Sequence, residues 1–218
     1  MLVDPFRLAI ALVPVSAYVL LLGLVNLRRR PFLTTGGSDL AALGLAISGL
    51  VFVGPVELFR PEAATAELGN YVWLFLLVFY WLCLLLGVLL SRPRLVVYNI
   101  GIEEIHSVLA EAAARLDPDA RWAGNSLTLP RLGVQLHIDS WDLMRNVTLA
   151  SSGSRQSLEA WRRLARELST ALKSIDVKPN PRAVGLLLGA LVLMALSVTH
   201  MLSHPVELAQ GMNEVFSY

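Results

Sequence analysis

Apolar and polar positions divide this chain of 218 residues into two kinds of territory. Four stretches are continuously apolar: 8–27, 40–56, 71–90 and 183–203. A helix needs about 20 apolar residues to cross roughly 30 Å of hydrocarbon, with about 17 as the lower limit. The first, third and fourth stretches meet that length, and the second sits at the limit. None carries a charged side chain in its interior. The pattern predicts an α-helical integral membrane protein with four transmembrane helices.

Between the third and fourth stretches the pattern changes. Residues 94–100 (RLVVYNI) read as a strand, and 103–116 place Ile105, Val108, Leu109, Ala112 and Leu116 at helical spacing. A short strand at 126–129 turns at Pro130-Arg131-Leu132-Gly133. Leu132, Val134, Leu136 and Ile138 then alternate with polar residues, as in a half-buried strand. Residues 146–150 form a further strand, and a helix runs over 157–175. Its apolar positions Leu158, Trp161, Ala165, Leu168, Leu172 and Ile175 step by three and four. That spacing fits a coiled-coil seam, but the run is short, and the helix is read as packing on its own domain. The expected order is β-α-β-β-β-α, a small α+β domain with helices on one face of an antiparallel sheet.

The resulting organisation is three helices with short loops over 1–91, an α+β domain over 92–180, a fourth helix over 181–204, and an interfacial tail over 205–218. The tail offers Val206, Leu208, Met212, Val215 and Phe216 to a membrane surface.

Two short motifs recur. Leu-Leu-Leu-Gly occurs at 20–23 and 84–87, and Pro-Val-Glu-Leu at 55–58 and 205–208. Each pair brackets one inside-to-outside helix, so the chain reads as two parallel hairpin repeats, the second holding the α+β domain in its loop. Pro55 and Pro205 suit the first turn of a helix, where the missing N–H costs nothing. Glu57 and Glu207 suit the positive end of the same helix. Gly54 and His204 take the cap positions.

Composition agrees with the pattern: 55% of residues are hydrophobic and 16% charged. Charge sets the orientation. Arg28, Arg29, Arg30, Arg92, Arg94, Lys178 and Arg182 flank the helices on one side, against Arg7 and Arg60 on the other. The positive-inside rule places the first loop and the α+β domain in the cytoplasm, with both termini outside. The first stretch is a retained helix rather than a signal peptide, because three arginines follow it without a small-residue cleavage site. Sixteen arginines against two lysines suggest GC-rich bacterial coding, hence a bacterial cytoplasmic (inner) membrane.

Candidate chemistry is sparse. The single cysteine, Cys83, forms neither an intrachain disulfide nor a cysteine zinc cluster. No Walker loop, nucleophile elbow, HExxH or dinucleotide fingerprint appears in the sequence. His200 and His204 stand four apart with Glu207 beyond them, a possible divalent-metal set with Glu57 as a fourth ligand, but Pro205 is expected to break the helix between them. No other cofactor is expected. His137 and Asp139 read as a solvent-facing pair. Thirteen basic against ten acidic residues over 92–182 leave no basic run, so nucleic acid is not an expected partner. Gly185 and Gly189 in the fourth stretch, with Gly44 and Ser48 in the second, suit close helix packing. The expected function is a non-catalytic membrane subunit or assembly protein. It would anchor an interaction domain among membrane lipids and self-associate or join a larger complex. The alternative is a small oligomeric channel or transporter gated by that domain.

Overall fold

The computed structural model describes residues 5–56, 67, 69, 71–142, 144–153 and 156–216. In chain order the elements are α1 (Pro5–Leu27), β1 (Phe32–Thr35), α2 (Gly36–Val51) continued by a π turn (Phe52–Val56), and α3 (Tyr71–Leu90). Then come β2 (Arg94–Tyr98), α4 (Ile102–Leu116), β3 (Arg121–Ala123), β4 (Ser126–Leu129), β5 (Val134–Trp141) and β6 (Asn146–Ser151). The chain closes with α5 (Leu158–Lys173), α6 (Arg182–Ser203) and α7 (Pro205–Phe216). The protein is mostly helical, with four helices long and apolar enough to cross a membrane and a small antiparallel sheet. Two compact units form: one from Met1–Leu21, Leu40–Leu89 and Gly185–Tyr218, the other from Leu22–Asp39 and Leu90–Val184.

In the first unit, close contact is made through small residues of α2. Pro14 lies inside α1 and has no N–H to give the Ile10 carbonyl one turn back. That carbonyl is where Gly49 of α2 makes its approach, so near that an added Cβ would overlap it. Gly44, one to two turns earlier, faces Leu84 of α3 in the same way. The Tyr80 hydroxyl of α3 donates to the Gly44 carbonyl at 2.5 Å, and its ring meets Phe52 edge-on at 5.7 Å.

In the second unit the sheet order is β1-β2-β6-β5-β4-β3, antiparallel throughout. One face is the core. Leu95, Val97, Leu127, Leu129, Val134, Leu136, Ile138, Val147 and Leu149 meet α4 and α5 there. The stripe on α5 is spent inside this unit, on Trp161, Leu164, Leu168 and Leu172, so it is no coiled-coil seam. Leu158, read from sequence as part of that stripe, is exposed, and Leu164 takes its place. Two caps frame the helices. Ser157 Oγ accepts the Ala160 N–H at 3.3 Å at the start of α5. Beyond α4, the buried Asp117 carboxylate accepts the N–H groups of Asp119 (2.9 Å) and Arg131 (2.8 Å), tying the helix end to the β4–β5 turn.

The sheet is larger than expected, six strands where the sequence pattern gave four. β3 is a three-residue edge. β1 comes from the first loop, and it matters more. β2 is buried on both faces, because Val96 and Tyr98 pack against Leu22 and Val25 of α1 on the side away from the core. This explains the unbroken apolar run of its sequence. Arg30-Pro31-Phe32-Leu33 leads into β1 and Arg92-Pro93-Arg94-Leu95 leads into β2. The register pairs Thr34 with Val96, the next position of each motif, so the local two-fold between the strands falls on equivalent residues.

The two Pro-Val-Glu-Leu copies differ. His204 separates α6 from α7, Pro205 opens α7, and the Leu208 N–H donates to the His204 carbonyl at 3.0 Å. The first copy does not open a new helix at its proline. Gly54 and Pro55 lie within the π turn that continues α2, while Glu57 and Leu58 lie outside the described residues. The side chains of Met212, Val215 and Phe216 also lie outside what is described.

Candidate functional site

The open face of the sheet carries one arrangement that looks chemical. Strand register sets Ser126 opposite His137. Ser126 Oγ lies 3.0 Å from His137 Nδ1, and Asp139 Oδ1 lies 3.5 Å from the Nε2 of the same ring. The order Ser–His–Asp is that of a nucleophilic triad, and its setting is not. The imidazole and carboxylate are 46% and 65% exposed, so water screens the pair. β5 lies between β4 and β6, and the ladder takes up the backbone donors that would otherwise bind an oxyanion. This is a cross-strand polar pairing on a wet surface.

At the far end of α6, His200 and His204 come together with ring centroids 4.7 Å apart, and His204 Nδ1 lies 3.2 Å from the His200 carbonyl oxygen. Glu207 is exposed on α7 and does not complete the set. Among the described residues no group of three His, Cys, Asp or Glu side chains could hold a metal ion. Glu57 lies outside the described residues.

The expected packing residues divide. Gly44 is in tight contact with α3. Ser48 donates to the Leu45 carbonyl of its own helix at 2.8 Å. A Cβ on Gly185 or Gly189 would meet open space among the described residues. An open groove of about 480 Å³ lies on this unit, lined by Ile10, Pro14, Ser48, Gly49, Trp81 and Met201 among others, and its walls are mostly apolar.

The second unit holds a more constructed feature, where the chain leaves α1. Asn26 is buried in the last turn, and its Nδ2 donates to the Leu22 carbonyl at 2.9 Å. Asn99, wholly buried just past β2 and held at φ +58°, donates to the Arg28 carbonyl at 2.6 Å. Asparagine tolerates that left-handed backbone better than most residues. The Val177 N–H donates to the Arg29 carbonyl at 2.8 Å, and the Asn180 N–H to the Asn26 carbonyl at 3.1 Å. Asn99, Asn180 and Val177 thus hold the carbonyls of Arg28, Asn26 and Arg29. Arg28, Arg29, Arg30 and Pro31 then line a hollow of about 490 Å³ together with Lys173, the last residue of α5.

Sequence reasoning used the three arginines only to orient the chain, and it missed Asn26, Asn99, Asn180 and Lys173. Asn26 had a local signal, a lone amide in the final turn of an apolar helix. Lys173 had none, because the fold alone brings it there.

Compared with models of known protein families, with characterised sequences and with solved structures, the chain finds no match in any of the three.

Proposed function

We propose that this protein is a non-enzymatic subunit of a bacterial cytoplasmic membrane, whose four apolar helices anchor the α+β unit on the cytoplasmic side with both termini outside. In this reading it acts through association, with copies of itself or with other membrane subunits. One observation carries the reading: four polar groups on the apolar helices are engaged with nearby backbone, while the buried Ser197 hydroxyl of α6 has no partner among the described residues. Ser16 donates to the Val13 carbonyl, Ser48 to Leu45, Thr199 to Ala195, and Tyr80 to Gly44 on the neighbouring helix. A conducting path needs polar groups that face an opening, and one groove among the described residues of these helices has mostly apolar walls, with Ser48 among its lining. Exposed Leu82, Leu86 and Leu90 on α3, with Leu188, Leu191 and Leu202 on α6, supply a surface for lipid or partner helices. The shared Arg-Pro-x-Leu motifs and the equivalent pair Thr34–Val96 support a duplicated hairpin, with β3–β6 and both packed helices inserted in the second copy.

Native mass spectrometry of protein extracted gently from its own membrane tests this. A second polypeptide at fixed stoichiometry, or a defined homo-oligomer without ion or solute flux in proteoliposomes, is the expected result. Sustained selective flux through the purified protein would replace this reading with the channel.

A further inference from the structure

We propose that the hollow lined by Arg28, Arg29, Arg30 and Lys173 binds a phosphate group, presented in the cell by the headgroup of an anionic lipid. The lipid source rests on the membrane reading above, and the chemistry of the site does not.

Four cationic residues line one hollow, and among the described residues none of them has an ion-pair partner. α1 ends just before this cluster and α5 ends within it. Each helix C-terminus contributes about half a negative charge. Together they offset about one of four positive charges, so the hollow keeps a strong excess. A phosphate suits that excess, because guanidinium groups clamp its oxygens in pairs while a lysine adds a point charge. The positive-inside rule accounts for three arginines after an apolar helix. It does not account for Lys173, which arrives from the end of the sheet unit's last packed helix.

The site is also held ready. The Arg28 and Arg29 carbonyls are fixed by Asn99 and Val177, so the cations project from a backbone that need not be ordered on binding. A volume of about 490 Å³ exceeds what a bare phosphate fills and leaves room for the glycerol of a headgroup. The arginines begin at the first residue after α1, which is headgroup depth for a helix of 23 residues that spans.

The test uses the full chain in phosphatidylcholine nanodiscs, in two arms. The first replaces a rising share of the lipid with phosphatidylglycerol and reads lipid retention by native mass spectrometry. The second titrates inorganic pyrophosphate by calorimetry. Lys173→Gln is the informative variant, since it leaves the arginine orientation signal intact, and it is expected to weaken binding about fivefold. Arg162→Gln, an exposed charge elsewhere on α5, is expected to leave binding unchanged. Loss in the lipid arm identifies a headgroup site. A Lys173-dependent signal with pyrophosphate alone supports the same site with a soluble phosphate as its source. Equal binding by wild type and Lys173→Gln in both arms, or an equal loss in Arg162→Gln, overturns the proposal. Failure of the chain to enter nanodiscs would instead overturn the membrane reading, and pyrophosphate titrated into the full chain in detergent would still report on the hollow.

Discussion

Leucine means opposite things in the two units. In the sheet unit Leu109 and Leu149 are wholly buried, whereas on α3 Leu86 is 55% and Leu89 71% exposed. The sheet unit satisfies its apolar surface internally. The helical unit leaves that surface for its surroundings to cover, at roughly 25 cal/mol per Å² if those surroundings were water. Polar groups follow the same division. In the helices Ser16, Ser48 and Thr199 bond within a turn, whereas in the sheet unit some bonds reach across the chain, as when the Tyr98 hydroxyl donates to Asp39 at 2.5 Å. One unit is folded against itself, and the other leaves its apolar surface open.

The sharpest test of that division is a matched pair of truncations. Leu149→Ala opens a cavity in a closed core and is expected to cost about 2–5 kcal/mol in denaturant unfolding. Leu86→Ala is expected to stay within about 0.5 kcal/mol in the same assay. Equal costs would erase the distinction between the units.

Next in size is the asparagine clamp. Asn99→Ala loses a buried hydrogen bond, worth about 1–3 kcal/mol, and forces alanine into a left-handed backbone at about 1 kcal/mol more. Asn99→Gly removes only the first part, so glycine should be the milder change. Hydrogen exchange at the Val177 amide, which bonds to the adjoining Arg29 carbonyl, should rise in both variants and more in alanine.

Within the helical unit, Gly49→Ala drives a methyl into the Ile10 carbonyl and is expected to cost about 1–3 kcal/mol in thermal melts in detergent. Gly185→Ala and Gly189→Ala, placed in open space, should be neutral or gain up to about 1 kcal/mol of helix propensity. A large loss at Gly185 or Gly189 would show that a second copy or partner packs there. A smaller loss than at Gly49 is expected for Tyr80→Phe, at about 0.6 kcal/mol for one hydrogen bond between apolar helices.

Much of the architecture was legible in the residues. The four apolar runs carry their own length signal, and β5 carries five alternations of buried and exposed residues. β1 and β3 escaped because Phe-Leu-Thr-Thr and Arg-Trp-Ala show no alternation of apolar and polar residues, unlike the equally short Ser-Leu-Thr-Leu of β4. On α5, three-and-four spacing allowed either Leu164 or Ala165 to follow Trp161 in the buried stripe, and Leu164 is the one wholly buried. Leu158 is the first residue of the helix and stays out of the core. Proline at 205 marked a helix start correctly. Proline at 55 did not, because a π turn absorbed it. For the candidate site, the arginines could be seen and their purpose could not, since Lys173 and the clamp exist only in three dimensions.

Chain synthesis gives β1 a further meaning. The ribosome releases Phe32–Thr35 before α2 and α3, and its partner Arg94–Tyr98 follows about 60 residues later. At roughly 5–20 residues per second, that strand waits several seconds for its first neighbour. β6, the other neighbour of β2, emerges later still. The first loop is therefore an early half of a sheet whose second half is made only after three helices exist. Excision of 92–180 as a fragment would leave β2 with the bare edge that this delay normally ends.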